Sequence, residues 1–220
     1  MSQEDGKGLI KQPVSLLLAE GSTDEIFYKK VKISHLRDCR ATVCDLHGLY
    51  NINVKVINKI VGYIQAHRDE VTRVYCCLDR ESRYREVPGF DIRKIKKYIK
   101  DENLKSVLSV DLIRATQHIE SWFFYDIEGI YAYLKVQRSR RRLNAFRPPE
   151  KFGYRDLQRL FERYGKTYSK GRRTKSFINK LNIEKIVCNC KELGEGIQLI
   201  KSQAGDMTNH LFPGKKSREQ

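Results

Sequence analysis

Three acidic side chains follow two apolar runs of the sequence, and their positions suggest metal chemistry. Glu20 follows the run at residues 14–18, whereas Asp79 ends the run "VYCCLD" and Glu81 comes two positions later. In an extended chain, residues i and i+2 point the same way, so Asp79 and Glu81 can face one site. Carboxylates held together need a cation to neutralise them, and hard oxygen ligands suit Mg²⁺ or Mn²⁺. The sequence therefore predicts a divalent-metal site at Glu20, Asp79 and Glu81 if the two runs are neighbouring strands.

Alternating strand and helix signals fill the first 125 residues and predict how these acids are positioned. The continuous apolar run before Glu20 is typical of a strand buried on both faces of a parallel sheet. Gly21 permits a turn after it, and Ser22 or Thr23 can cap the next helix. Repeated βα units predict an α/β fold, with a mainly parallel sheet flanked by helices and ligands at the strand carboxyl ends. The further strands are expected within residues 40–48, 71–82 and 105–113, and the helices within 22–33, 51–68 and 91–103.

The charge of the chain predicts a polyanionic partner. It has 43 Lys and Arg against 27 Asp and Glu, for a formal net charge of +16. Such an excess favours nucleic acid or an anionic membrane surface as the partner. No apolar run approaches the roughly 18 residues of a membrane span, and the N-terminus lacks the apolar core of a signal peptide. We therefore expect a soluble cytoplasmic protein whose six cysteines are reduced and mostly buried, a "CNC" metal site at 188–190 being the weaker alternative.

The composition changes near residue 135, which predicts two parts in the chain. Residues 135–175 hold fifteen Lys and Arg against three acids. We expect an α/β domain over residues 1–130, a basic helical C-terminal portion over 131–212 packed on it, and a frayed tail at 213–220. Within the basic portion, residues 137–156 are expected to form a loop and two short helices to follow. The predicted nucleic-acid contacts there are Arg138, Arg140, Arg141, Arg142, Lys170, Arg172 and Arg173.

The order and placement of the acids resemble the Toprim domain over about residues 12 to 125. That family carries a glutamate in an EG turn after its first strand and an Asp-x-Asp after its third. The resemblance implies that Glu20 matches the family glutamate and Asp79 the first aspartate, and Glu81 stands where the second aspartate would be. Arg80, between them, either contacts a phosphate or stabilises the acids.

Two later segments are similar to small stand-alone prokaryotic Toprim proteins, many of them associated with phage defence. These segments are "QHIESWFFYD" at 117–126 and "RPPEKFGYRDLQRLFERYGKTYSK" at 147–170. In those proteins, and in the overcoming-lysogenization-defect nucleases, extra acids help to bind a second metal. The resemblance implies that role for Glu120 and for Asp24. The alternatives are a helix-capping acid for Glu120 and a helix-dipole partner for Asp24.

These features together predict a Mg²⁺- or Mn²⁺-dependent nuclease acting on DNA or RNA. Two metals can activate water and stabilise the leaving oxygen, while the basic segment binds the strand. The resemblance further implies an anti-phage effector with a partner ATPase. Two alternatives stay open: a non-catalytic, RecR-like Toprim binding module, and a basic RNA-associated protein whose acids are incidental. The chain is too short for topoisomerase strand passage, and no zinc module points to a primase.

Several side chains near the predicted site have two interpretations. His47 either touches a phosphate or decorates a turn, and His118 could orient Glu120. Tyr154, Tyr164 and Tyr168 either stack on unpaired bases or pack half-buried, the commoner outcome.

Overall fold

The structure is a computed structural model that describes residues 12–80 and 86–205. Its centre is a sheet of four parallel strands, β1 Val14–Ala19, β2 Ala41–Asp45, β3 Thr72–Asp79 and β4 Val107–Ala115. Their order in the sheet is β2-β1-β3-β4. This arrangement confirms the predicted fold class, a parallel α/β sheet flanked by helices.

The two faces of the sheet carry two separate apolar cores. Leu16 and Leu18 of β1 belong to the core beneath helices α2 (Ile52–Ala66) and α3 (Ile92–Asp101), whereas Leu17 and Ala19 belong to the other core. Because successive residues of a strand point to opposite faces, a strand buried on both sides must be apolar throughout, as β1 is. The helices that connect the strands are α1 Ser22–His35, α2 Ile52–Ala66 and α3 Ile92–Asp101.

The connections leave a crevice between β1 and β3. Helix α1 leads from β1 outward to β2 and packs on one face of the sheet, whereas α3 leads from β3 outward to β4 on the other. The carboxyl ends of β1 and β3 are therefore the topological switch point, where ligands of open α/β sheets bind.

Six further α-helices follow β4 within residues 116–205, and most of them pack on the face that carries α1. Their aromatic side chains form one continuous cluster that includes Trp122, Phe123, Phe161 and Phe177. The boundaries predicted at residues 130 and 212 stay predictions, and residues 206–220 lie outside the described residues. The helices are α4 Ile119–Phe123, α5 Ile127–Tyr133, α6 Tyr154–Arg163, α7 Lys175–Ile178, α8 Ile183–Asn189 and α9 Lys191–Gly205.

The C-terminal region contains helices that the sequence did not predict. The second of the two short helices expected after the loop, over residues 175–186, is divided into α7 and α8, and α5 and α9 were not predicted. Glycines lower helix propensity, and α9 contains Gly194 and Gly196. A Cβ at Gly196 would lie 2.8 Å from Ile113 Cγ2, so glycine is what allows α9 to pack closely on β4.

The predicted capping of α1 was wrong. Gly21 is the residue before the first turn, and neither Ser22 nor Thr23 caps the helix. Their hydroxyls make tertiary contacts instead: Ser22 donates to Asp45 Oδ2 at 2.7 Å, and Thr23 accepts from the Gly171 amide at 2.7 Å. Helix α1 is thereby tied both to β2 and to the distant segment around residue 171.

No helix in residues 12–80 and 86–205 is long and apolar enough to cross a bilayer.

Lys30 joins α1 to the end of α7. Its ammonium donates to the carbonyls of Ile178 at 2.9 Å, Asn179 at 3.0 Å and Leu181. The Ile178 carbonyl also accepts from the Leu181 amide at 3.1 Å, so the lysine adds a second donor there and satisfies two carbonyls of the turn that follows the helix. Burial lowers the pKa of Lys30, an effect partly opposed by Asp126.

We expect Lys30→Met to lower the free energy of unfolding by about 1–3 kcal/mol, because it keeps the aliphatic stem but removes the ammonium that donates to all three carbonyls. Urea unfolding followed by circular dichroism would measure the change. Lys29→Met is the matched control: Lys29 is 55% exposed and pairs only with Glu25 within α1, so it should cost about 0.5 kcal/mol or less. Equal losses in the two variants would contradict this role.

Candidate metal centre

Glu20 and Asp79 meet at the carboxyl ends of β1 and β3. The pairing of Ala19 with Cys77 brings the two strand ends together. Glu20 donates its amide to the Cys77 carbonyl at 3.1 Å, and its Oε2 accepts from the Asp79 amide at 3.0 Å. Asp79 is 2% exposed, so its carboxylate is almost fully removed from water.

The turn after β4 brings a third strand end to the same place. Gln117 has a φ of 72°, the left-handed conformation, and directs the chain into α4. Non-glycine residues adopt this conformation at a cost and concentrate at functional sites. As a result the Ile119 amide donates to Asp79 Oδ1 at 3.1 Å, and His118 Nδ1 lies 3.3 Å from Asp79 Oδ2.

Glu120 is fully buried beside Asp79. Its Oε1 accepts from the Tyr168 hydroxyl at 3.0 Å, and its Oε2 lies 3.5 Å from Lys170 Nζ. Within residues 12–80 and 86–205, no donor makes a hydrogen bond to Glu120 Oε2. A buried carboxylate oxygen without a hydrogen-bond donor destabilises the folded state, and a bound cation would offset this destabilisation.

The electrostatics of the cluster follow from burial and mutual repulsion. Burial raises the pKa of Asp79 well above its usual range, and the charges of Glu20 and Glu120 raise it further. Burial likewise raises the pKa of Asp24, which is 7% exposed, and Asp79, Glu20 and Glu120 add to the effect. The site therefore favours either protons or cations on its carboxylates.

Lys170 is the cation that the chain itself supplies. Burial alone would lower the pKa of its ammonium, but the attraction of Glu120, Asp79, Asp24 and Glu20 outweighs this and raises it. Its Nζ also lies 5.2 Å from the centre of the Tyr154 ring, a cation–π contact. Among residues 12–80 and 86–205, the Lys170 ammonium opposes four carboxylates, which leaves this group anionic when all four are ionised and His118 is neutral.

The donor set fits a divalent cation. One ligand atom each from Asp79, His118 and Glu120 lie within 4.8 Å of one another, and Glu20 and Asp24 supply further carboxylates. Carboxylate oxygens with one imidazole are ligands that Mg²⁺ or Mn²⁺ accept. No cysteine belongs to this group, and Cys188 and Cys190, the alternative metal ligands, are exposed and buried respectively.

The remaining predicted residues fall in different places. Glu81 lies in residues 81–85, outside the described residues. Arg80 is half-buried and donates to Thr116 Oγ1 at 3.1 Å. Of the predicted nucleic-acid contacts, Lys170 enters the acidic cluster. Arg141 is half-buried, and the exposed ones are Arg138, Arg140, Arg142, Arg172 and Arg173.

The histidines and tyrosines also differ among themselves. His47 lies at the predicted sheet edge, 72% exposed, with its Nδ1 3.2 Å from Asp45 Oδ2. Tyr168 is buried, which excludes base stacking in this conformation, whereas Tyr154 and Tyr164 are half-buried. The hydrogen bond from Tyr168 to Glu120 was not predicted, since it joins residues 48 positions apart.

Glu192 was not predicted and supports the turn that carries His118 and Glu120. Its carboxylate accepts from the Thr116 amide at 3.0 Å, from the Thr116 hydroxyl and from Trp122 Nε1 at 3.2 Å. Glu192 lies on α9, the helix that was not predicted because its glycines lower the helix propensity of the sequence.

The chain matches no protein-family model and no curated protein. Among solved structures, the C-terminal region of the Xanthomonas campestris pv. campestris OLD protein aligns with 89% of this chain and 97% of that one, at 16% identity and a TM-score of 0.41. A likeness this distant says nothing about chemistry, which has to come from the geometry of the site itself.

The raised pKa of Asp79 predicts how stability depends on pH without metal. An acid whose pKa is higher in the folded state contributes stability that is complete below its unfolded pKa, about 3.9, and is lost as pH rises through the raised value. The free energy of unfolding in EDTA should therefore fall with rising pH, by about 1.4 kcal/mol for each unit by which the pKa is raised.

Asp79→Asn removes the ionisable group but keeps an oxygen for the Ile119 amide. We expect this variant to lose much of the pH dependence and to be at least as stable as the parent at neutral pH in EDTA. Urea unfolding at several pH values would test this. Asp101→Asn, at an exposed position on α3, should keep the parent's pH dependence. An unchanged slope in Asp79→Asn would refute the interpretation.

We expect Glu192→Ala to lower the free energy of unfolding by about 1–3 kcal/mol, because three partly buried donors lose their acceptor. Trp122 is the chain's one tryptophan and is 2% exposed, so its fluorescence reports on the turn directly. A red shift in the folded variant is expected. Glu195→Ala, on the same helix but 68% exposed, should leave the emission unchanged, and a silent Glu192→Ala would remove the assigned role.

Proposed function

We propose that this protein is a divalent-metal-dependent nuclease that hydrolyses phosphodiester bonds of DNA or RNA. The observation that carries the proposal is the buried carboxylate cluster at the switch point, in which Glu120 Oε2 has no hydrogen-bond donor among the described residues. A strongly basic chain with such a cluster has both parts that phosphodiester hydrolysis needs: ligands for the cations and cations for the neighbouring phosphates.

Each residue has a defined part in this proposal. Glu20, Asp79 and Glu120 would hold the cations, with Asp24 beside them and with Glu81 in the role that the Toprim resemblance implies. When bound, Mg²⁺ or Mn²⁺ supplies Lewis-acid stabilisation of the phosphodiester and a water of lowered pKa. His118, 3.3 Å from Asp79, orients that carboxylate.

Lys170 and Asp24 adjust the net charge of the site when a cation or a phosphate binds. Asp24, with its raised pKa, can hold a proton in the metal-free protein and release it when a cation enters. Lys170 is 44% exposed, so its ammonium can reach solvent and a bound phosphate from its place beside Glu120. The loop that carries it therefore joins the metal ligands to the basic surface.

The Toprim resemblance adds a biological setting to this proposal: a cytoplasmic effector of phage defence that works with a partner ATPase. Such a partner would explain how the nuclease is kept inactive until the defence is triggered.

A non-catalytic binding module is the second candidate. It is favoured by the ion pair between Lys170 and Glu120, which neutralises part of the cluster without metal. In that case the acids have a structural role only, and the arginines at residues 140–142 bind DNA or RNA.

Cleavage assays with single-stranded DNA, double-stranded DNA and structured RNA would decide between them. We expect cleavage in Mg²⁺ or Mn²⁺ and none in EDTA, and a loss of at least about 100-fold in Glu20→Gln and in Asp79→Asn, since both remove an anionic ligand. Mn²⁺ should also raise the melting temperature of the parent more than that of Asp79→Asn.

Asp101→Asn, purified in the same way, should cleave like the parent. If the acid variants cleave as well as the parent, the activity is a contaminant or the site lies elsewhere. If no protein cleaves, binding is unaffected by the acid substitutions, and charge reversal at Arg140–Arg142 abolishes it, the binding module is the correct assignment.

A further inference from the structure

A concave site lies in the basic portion of the chain, and none of the four acids of the carboxylate cluster lines it. It is a cleft of about 420 Å³ at the start of the segment after α5 and at the end of α6. Its lining contains four guanidinium groups, one hydroxyl and one phenol, and no carboxylate. The lining residues are Ser139, Arg140, Arg141, Arg142, Arg163 and Tyr164.

The walls of this arginine cleft are held in place by buried neighbours. Arg141 Nε donates to the Val136 carbonyl at 3.0 Å, and the Arg142 amide donates to the Tyr131 hydroxyl at 3.3 Å. Tyr131 is 1% exposed, and its ring packs edge-on against Tyr164 at 6.0 Å. The two sides of the cleft, the arginine segment and the end of α6, are therefore joined through one buried tyrosine.

The cleft concentrates positive charge that the described residues do not neutralise. Within residues 12–80 and 86–205, no carboxylate forms an ion pair within 4.0 Å of Arg140, Arg141, Arg142 or Arg163. Glu128, an acid close enough to feel Arg141, pairs with Lys185 at 2.6 Å. Like charges held together repel, so an arrangement of this kind favours a bound anion.

We propose that the arginine cleft binds a terminal phosphate group, and that the preferred source is the end of a nucleic-acid strand. Guanidinium groups bind phosphate through paired, planar hydrogen bonds, and a terminal phosphate offers three oxygens and up to two charges where an internal phosphodiester offers two oxygens and one charge. The volume suits a phosphate with its nucleotide and is far below that of a duplex. The phosphates of a free nucleotide share this chemistry and are the alternative source.

The cleft lies near the carboxylate cluster, so a phosphate bound there would position a nucleic-acid strand for cleavage. This part of the inference rests on the proposed function. Tyr164 lines the cleft, and Tyr168, four residues later, bonds Glu120. Four residues span at most about 14 Å between Cα atoms. A strand end held in the cleft would therefore place a bond only a few nucleotides inward at the metal centre.

Binding measurements without cleavage test the cleft separately from the nuclease. In EDTA, fluorescence anisotropy would compare one labelled single-stranded oligonucleotide with a 5′-phosphate, a 3′-phosphate or hydroxyls at both ends. We expect one phosphorylated form to bind at least about 10-fold more tightly than the hydroxyl form. In Arg163→Gln this ratio should fall by at least half, and in Arg142→Gln/Arg163→Gln it should fall to near 1.

The diagnostic quantity is the ratio of the affinities for the phosphorylated and the hydroxyl oligonucleotide. The affinity alone is not diagnostic, because any lost cation weakens binding to all phosphates. Arg68→Gln, at an exposed position in the connection between α2 and β3, is the matched control and should keep the ratio. A ratio near 1 in the parent overturns the strand-end assignment. Competition by adenosine triphosphate that Arg163→Gln abolishes would then assign the cleft to a free nucleotide, and no competition would overturn the proposal altogether.

The cleavage assay keeps the two proposals distinct. If the parent cleaves with metal but shows neither end preference nor nucleotide competition, the arginine cleft is not a terminal-phosphate site and the nuclease assignment stands. If the end preference is present but no metal supports cleavage, the cleft stands and the nuclease assignment fails.

Discussion

Repulsion among buried carboxylates is the constraint on which the rest of this structure depends. Four acids, Glu20, Asp24, Asp79 and Glu120, lie close enough for each to feel the others in a region from which water is largely removed. The backbone amides of Asp79 and Ile119, the hydroxyl of Tyr168 and the ammonium of Lys170 all point into the cluster. Each of these groups offsets part of the repulsion, and together they explain why so many distant segments end at the same place.

The strand ends and the segments directly after them carry the acids, and the C-terminal region carries side chains that offset the repulsion between these acids or support the turn after β4. Glu20 and Asp79 follow directly from the strand order, since parallel strands end at one edge. Tyr168 and Lys170 come from the segment after α6, and Glu192 from α9. The site is therefore a product of both halves of the chain, and a boundary drawn near residue 130 separates the metal ligands from their support.

The sequence was sufficient for those features that depend on local pattern. The apolar runs, the glycine after Glu20 and the spacing of Asp79 predict the strands and the meeting of their ends. It was insufficient where a tertiary contact overrides the local preference: Ser22 and Thr23 bond across the fold instead of capping α1. Helix α9 was missed because Gly196 is required for packing on Ile113, and that same glycine weakens the helix signal. The contacts of Lys170 and Glu192 join residues 50 or more positions apart, a separation that no periodicity reports.

The long sequence separation between the acids and their partners has a consequence for the order in which the protein is made. Synthesis proceeds from the N-terminus, so Glu20, Asp79 and Glu120 leave the ribosome well before Tyr168 and Lys170 do. The Thr23 hydroxyl meets the Gly171 amide only after that point, and Lys30 meets the end of α7 later still. A nascent chain thus carries its acids without their counter-charge, and the site and its supporting turn are completed only when the segments as far as Glu192 are available to fold.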